Sequence, residues 1–458
     1  MFLEKIKSEG LAHLSYILGD GGKAAVIDPR RDCEIYREIA DREGCRIVEI
    51  FETHRNEDYV IGSTELARRT GASIRHGAAL PFSYGKAVTE GEEFTLGDLT
   101  LKVLQTPGHT DESISIVLYE RGAGETPVGV FSGDALFIGD TGRTDFFPDR
   151  REEVAGLLYD SIFNKLLPLG DQTILYPAHG SGSVCGSTLS AREFSTLGLE
   201  RRHNPGLQVK NRDEFVARKA EEFHYLPPYF RRMEVLNLEG TPPGSMTPRP
   251  APADAAEFDG QAEEGMIVVD LRSPEAVSGA FLPGSLAIPL EMLSDFAGWL
   301  LPYDRPIGLV AEEGRTAREA GRRLFRIGYE DIPLFLAGGL LQWETSGRRY
   351  DRIPAVHAAE IVEKIAGGDD FTLLDVRTRE EFESGHLPGA IPIYLGLLPE
   401  HLNEIPEERP LVTFCGSGLR AVIAASLLKR NGFEEVEVCL GSMEACSEIG
   451  CPIRTGEE

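Results

Sequence analysis

The second half of the chain repeats itself. MIVVDLRSPEAVSGAFLPGSLAIPL, residues 266–290, lines up with FTLLDVRTREEFESGHLPGAIPIYL, residues 371–395. Asp270 matches Asp375 and Gly284 matches Gly389, 105 residues further on in each case. The match continues from LVAEEGRTAREAGRRL to VTFCGSGLRAVIAASLL, and from LAGGLLQW to CLGSMEAC. Such a period means two copies of one domain of ordinary size. Within each copy, short β-branched runs alternate with helical patterns such as AREAGRRLFRIG and AVIAASLLKRNG. That alternation predicts an α/β fold with a parallel sheet.

The repeat leaves about half of the 458 residues unexplained. A chain of this length calls for two to four cores. The stretch GTPPGSMTPRPAPADAAEF is rich in prolines and small residues that resist packing. The expected organisation is a first domain over 1–240, a linker over 241–258, and the two copies over 259–350 and 354–458. The first domain opens with LSYIL and AAVID across the hairpin signal GDGGK. The helical pattern CEIYREIADREG and the strand RIVEIFE follow, a mixture that fits a layered sandwich.

A net charge of −27 repels phosphate backbones and anionic lipid, so nucleic-acid and membrane binding are not expected. No run approaches the roughly 18–20 apolar residues of a membrane span. The opening MFLEKIKSEGLAHLSYILGD carries charge every few residues and reads as no signal peptide. The seven cysteines are odd in number and form no C-x-x-C pair, which suits reduced thiols in a cytoplasm.

Four polar clusters in the first domain each follow an apolar run: THRNED, TPGHTDES, SGD and PAHG. Ligands at strand ends converge on one edge of a sheet. The potential metal ligands are His54, Asp58, His109, Asp134 and His179. In this order the clusters resemble the metallo-β-lactamase superfamily, over roughly residues 10–230. The resemblance implies an αββα sandwich with a metal site at the strand ends. The superfamily's first cluster is H-x-H-x-D-H; Asn56 and Tyr59 stand here in place of its second and last histidines. A two-zinc site thereby loses ligands on both sides. His54, His109 and Asp134 remain, and two imidazoles with one carboxylate suit mononuclear Fe(II). The persulfide dioxygenase branch of the superfamily uses the same triad, and GDTGRTDF, residues 139–146, resembles that branch too. Asp58, His179, Asn56 and Tyr59 are then expected around the ligands, orienting them. Arg143 is expected to pair its guanidinium fork with a carboxylate of the thiol substrate. Cys185, six residues beyond His179, is a candidate sulfur carrier, although a small buried loop residue is the plainer reading.

In the last copy, Cys415 ends an apolar strand and Cys415-Gly416-Ser417-Gly418-Leu419-Arg420 leads into a helix. The glycines let successive N–H groups curl toward one point, and the helix start and Arg420 add positive potential. A thiolate or an anionic persulfide is stabilised in such a setting. With DVR and HLPGAI, this loop makes both copies resemble rhodanese-like domains, which carry sulfane sulfur on the loop cysteine. The C-x₄-R spacing favours sulfur over phosphate. In the first copy Ala311 replaces Cys415 and Thr316 replaces Arg420, so that copy is read as silent. Cys439, Cys446 and Cys451 read as core residues, with a sulfur relay as the alternative.

The whole chain thus resembles persulfide dioxygenase–rhodanese fusions. The resemblance implies oxidation of a glutathione- or coenzyme A-type persulfide by O₂ to sulfite, followed by transfer of sulfane sulfur from Cys415 to sulfite, giving thiosulfate. A dimer or tetramer is expected. Two other readings stay open: a glyoxalase II-type zinc thioester hydrolase, and a noncatalytic metal domain with Cys415 as the only active centre.

Overall fold

The computed structural model describes residues 1–181, 190, 192–406 and 409–456. The chain divides into two compact units, Met1–Ser245 with Arg326–Gly328, and Met246–Phe325 with Tyr329–Glu458.

The described residues of the first unit form two six-stranded sheets. One runs in the order Phe2–Ser8, His13–Asp20, Lys23–Ile27, Arg46–Phe51, Ser73–His76, Lys86–Ala87. The other runs Ser195–Thr196, Ile174–Pro177, Gly129–Gly133, Ile114–Glu120, Leu99–Gln105, Glu93–Leu96. Strand side chains alternate between faces, and this alternation builds the layers. Tyr16 and Leu18 join Leu99, Leu101, Ile116 and Phe131 in the core between the sheets. Ile17 and Val26 point the other way, onto Tyr36 and Ile39 of the helix Glu34–Arg42. On the far side, Val117, Val130 and Leu175 meet Leu158 of the helix Arg151–Ser161. The result is the αββα sandwich expected from the sequence.

The described residues of the second unit form two five-stranded, all-parallel sheets with the same strand order. The first is Ala251–Ala253, Leu334–Leu336, Ile307–Val310, Ile267–Asp270, Leu286–Ala287. The second is Ala355–Val356, Val436–Cys439, Leu411–Phe414, Thr372–Asp375, Ile391–Pro392. The DLR and DVR runs do the same work in each. Arg272 Nη2 donates to Asp270 at 2.6 Å and to the Ala280 carbonyl at 2.7 Å. Arg377 Nη2 repeats both bonds, to Asp375 at 2.6 Å and to the Gly385 carbonyl at 2.8 Å.

The two copies also touch. The Ala287 amide of the first donates to Ser426 Oγ of the second at 2.9 Å. The Trp299 ring lies edge-on to Tyr394 at 5.7 Å, above Gly396, where a Cβ would come within 2.7 Å of the indole. Only glycine admits so close an approach.

Part of the stretch read as linker is ordered. Ala251–Ala253 is a strand and Ala255–Glu263 a helix, which Asp254 caps by accepting from the Ala256 and Glu257 amides. Pro252 is tolerated because its strand lies at the sheet edge. Among the described residues, no helix is long and apolar enough to cross a membrane.

Candidate functional site

Each polar cluster of the first unit sits just past a strand. His54 follows Arg46–Phe51, His109 follows Leu99–Gln105, Asp134 follows Gly129–Gly133 and His179 follows Ile174–Pro177. His54, His109 and Asp134 converge, and Glu57 joins them. One ligand atom from each of the four lies within 4.8 Å of all the others, and all four residues are buried. His54 Nε2 and His109 Nε2 stand 3.7 and 3.6 Å from Asp134 Oδ2, and His109 Nε2 is 3.0 Å from Glu57 Oε1. Neighbouring donors around one ion with bonds of about 2.1 Å lie roughly 3.0–3.4 Å apart. The arrangement therefore fits one metal ion.

The outer contacts aim these ligands. His54 Nδ1 lies 3.0 Å from Thr53 Oγ1, which donates to Asp28 Oδ2 at 2.7 Å. His109 Nδ1 donates to the Arg143 carbonyl at 3.0 Å. Both rings thus turn Nε2 inward; His54 Nε2 is buried without a hydrogen-bond partner, and His109 Nε2 faces Glu57 at 3.0 Å. Buried imidazole nitrogens aimed at carboxylates in this way suit a shared cation. His179 bridges outward, from Asp134 (2.8 Å) through Nδ1 to Asp58 Oδ2 (2.9 Å) through Nε2.

Electrostatics agree with this division. Burial holds the His54 ring below its ordinary range, so it is neutral, as a ligand must be. Burial opposes charge on His109, yet Glu57 and Asp134 outweigh it and raise the ring to about 9. A metal entering the site must displace that proton. Burial also opposes charge on Asp134, but His179 and His54 hold its carboxyl well below the usual range.

Asn56 and Tyr59 do not stand in for the missing histidines in the same way. Asn56 Nδ2 donates back to the His54 carbonyl at 3.2 Å. Tyr59 packs on the His13 ring at 4.0 Å and reaches the metal cluster only through His179, at 6.4 Å between ring centres. The fork expected to bind a substrate carboxylate is given to Asp145. Arg143 Nε and Nη2 donate to its two oxygens at 2.7 and 2.8 Å, and the side chain is 1 % exposed. Arg143 serves the cluster through its carbonyl instead. Cys185 lies outside the described residues.

Three residues that the sequence reading passed over shape this centre. Glu57 is the fourth member of the cluster. Asn237, on the helix Phe230–Glu239, clamps the ligand loop by donating to the Asn56 and Tyr59 carbonyls at 2.6 and 2.7 Å. Glu112 accepts from the Arg55 amide and the Thr110 hydroxyl at 2.7 and 2.9 Å, tying the first and second clusters together.

Glu52 yields a pH prediction. Burial raises its carboxyl to about 8, against hydroxyl donation from Tyr84 at 3.0 Å. An unfolded Glu titrates near about 4.3, so the folded chain holds the extra proton between those values. This group's contribution to stability is complete at low pH and is lost as pH rises through about 8. Melting curves from pH 5 to 9 should fall less steeply for Glu52→Gln than for the parent chain; parallel curves would refute the assignment.

In the second unit, Cys415 follows Leu411–Phe414 and is 1 % exposed. Its Sγ accepts from the Gly418 amide at 3.1 Å, at the start of the helix Leu419–Arg430. Gly418 has φ of 104°, a backbone shape that favours glycine. The next loop supports this one. Ser442 Oγ accepts from the Cys415 amide at 3.1 Å, and the Met443 and Glu444 amides donate to the Cys415 and Gly416 carbonyls at 3.1 and 2.9 Å. Arg420 holds Glu381 with both Nη atoms, at 2.6 and 2.7 Å. Its charge is therefore shared with a carboxylate, and the Gly418 amide is the donor on the sulfur. In the first copy, Ala311 is buried after Ile307–Val310, with no thiol.

A buried cluster that fits one metal ion on an αββα sandwich, followed by two parallel α/β domains, defines the class of multidomain chain. Known proteins narrow it. The metallo-beta-lactamase superfamily model matches residues 9–179, and the rhodanese-like domain model matches 254–346 and 358–448. The chain belongs to the metallo-beta-lactamase superfamily and carries two rhodanese-like domains. Human persulfide dioxygenase ETHE1, mitochondrial, is 30% identical over 214 residues, covering 44% of this chain and 74% of that protein. Hydroxyacylglutathione hydrolase GloC of Haemophilus influenzae is 30% identical over 221 residues, covering 43% and 93%. The crystal structure of a metallo-beta-lactamase from Staphylococcus aureus subsp. aureus COL is 32% identical with a TM-score of 0.65, covering 74% of this chain and 98% of that one.

Proposed function

We propose that the first unit oxidises low-molecular-weight thiol persulfides with O₂ to sulfite at a single iron ion, and that Cys415 passes sulfane sulfur to sulfite to give thiosulfate. The observation that carries this reading is a one-ion cluster, His54, Glu57, His109 and Asp134, in the same chain as a thiol seated on a backbone amide. The persulfide dioxygenase similarity points the same way.

Bound iron would supply O₂ activation, which no side chain here performs. The chain's part is to present two neutral imidazole nitrogens and a carboxylate from rigid strand ends. His179 fixes the Asp134 carboxylate in place. Around Cys415, the Gly418 amide donates to the sulfur at the helix start, and the cysteine attacks the outer sulfur of a persulfide, leaving a free thiol. The resulting anionic persulfide occupies the same donor, and sulfite removes its outer sulfur. Glutathione and coenzyme A persulfides are the carriers proposed.

The test is dissolved-oxygen uptake by chain loaded anaerobically with Fe(II), after addition of glutathione persulfide. Uptake with sulfite or thiosulfate formation is expected, and none from His54→Ala. An iron-loaded chain that consumes no more oxygen than this variant would overturn the reading for that substrate.

The equal identity to the hydroxyacylglutathione hydrolase favours a second reading, thioester hydrolysis at zinc. Zinc-loaded chain that cleaves a glutathione thioester, with no oxygen uptake from iron-loaded chain, would support it.

A further inference from the structure

Cys446 and Cys451 stand at the end of the helix Ser442–Ile449. Gly450 follows in the left-handed conformation, φ 72°, and the Cys451 amide donates to the Cys446 carbonyl at 3.0 Å. This is a Schellman close, in which the residue three positions inside the helix end and the second residue beyond it bring their side chains together. Usually that contact is apolar. Here both positions carry thiols. The two side chains are within hydrogen-bonding reach of each other; Cys446 belongs to the core cluster that also contains Cys439, and Cys451 packs against that cluster. The backbone bond holds their α-carbons near the separation a disulfide spans, roughly 4.4–6.8 Å. Exposure separates their roles. Cys446 is buried, whereas Cys451 is half-buried and reachable.

We propose that Cys446 and Cys451 form a redox-active dithiol that reduces low-molecular-weight persulfides, releasing sulfide and closing to a disulfide. Cys451 attacks the outer sulfur of R–S–SH; the S–S bond breaks, R–SH leaves, and Cys451 carries a persulfide. Cys446 then attacks the inner sulfur, forming the Cys446–Cys451 bond and expelling sulfide. The sum is R–S–SH plus two thiols giving R–SH, H₂S and one disulfide, with the sulfane sulfur as the electron acceptor. Burial pushes the Cys446 thiol up, so its step relies on the short intramolecular reach that the helix end provides. The first residues of the same helix donate to the Cys415 loop, so the pair sits at the far end of the element that holds that loop. The proposal shares with the preceding reading only the substrate, a persulfide; neither iron nor Cys415 takes part.

The experiment uses the reduced full chain under nitrogen, without added metal, titrated with glutathione persulfide. Remaining thiols are alkylated, and the chain is cleaved after glutamate. Cleavage after Glu448 puts the two cysteines on separate fragments, held together only by a disulfide. Mass spectrometry is expected to find those fragments joined, about one sulfide released per joined pair, and separation after dithiothreitol. Cys415→Ala is expected to give the same joined fragments with about one sulfide per pair, while consuming less persulfide, and Cys451→Ser to release no sulfide from this site. Two separately alkylated fragments, a stable persulfide on Cys451, or closure that requires Cys415 would each overturn the proposal. Because no oxygen or iron is present, failure here leaves the oxygen-uptake result unaffected, and the reverse also holds.

Discussion

Cys415→Ser is expected to lower sulfane-sulfur transfer to sulfite by roughly a thousandfold or more, while oxygen uptake at the metal centre stays unchanged. The serine hydroxyl keeps the volume and still accepts from the Gly418 amide, the contact that Sγ makes at 3.1 Å. The lost quantity is the nucleophile itself, since a hydroxyl does not hold sulfane sulfur. The first copy, which has no thiol at the matching place, provides the comparison within the same chain: Ala311→Ser alters a buried position there and should leave transfer untouched. The measurement is thiosulfate formed from a persulfide donor and sulfite, beside an oxygen trace on the same sample. Transfer that survives in Cys415→Ser would move the sulfur-carrying role to another thiol.

His109→Ala is expected to abolish stoichiometric metal binding and, with it, the reaction of the first unit. The substitution removes one donor and also leaves Glu57 and Asp134 as buried carboxylates without the imidazole 3.0 and 3.6 Å away. Asp134 keeps His179 at 2.8 Å, but Glu57 loses the imidazole that favours its charge, and that loss opposes the fold as well as the metal. Glu57→Gln separates the two ways of counting ligands. If Glu57 binds the ion, the amide should weaken binding by about 10–100-fold and leave the chain folded. Binding unchanged by Glu57→Gln would mean that His54, His109 and Asp134 suffice. Competition with a chelator, read by metal content per chain, measures both variants.

The fold was legible where the sequence repeats a pattern with a physical cause. The 105-residue offset announced two like sheets, and the Asp270–Arg272 and Asp375–Arg377 pairs confirm the alignment bond by bond. The metal cluster was legible because its polar clusters follow apolar strands, and strand ends converge. Glu57 escaped because the H-x-H-x-D-H pattern treats its position as a spacer. In an irregular loop no 3.6 or 2.0 period says which side chain turns inward. Here Glu57 faces His109 while Asp58 reaches back to His179. The pairing of Arg143 was hidden for a local reason: Asp145, two residues on, accepts from its Nε and Nη2. The ordered part of the proline-rich stretch was hidden because composition cannot tell an edge strand, where Pro252 is harmless, from a linker.

The contact between the two rhodanese-like copies couples them mechanically. The helix that begins at the Cys415 loop is held at Ser426 by an amide of the first copy, and Trp299 presses on Gly396. The copy with Ala311 in place of a loop cysteine therefore buttresses the copy that carries the thiol. A change at Trp299, or a proline at position 287, is felt across that seam in the neighbouring copy.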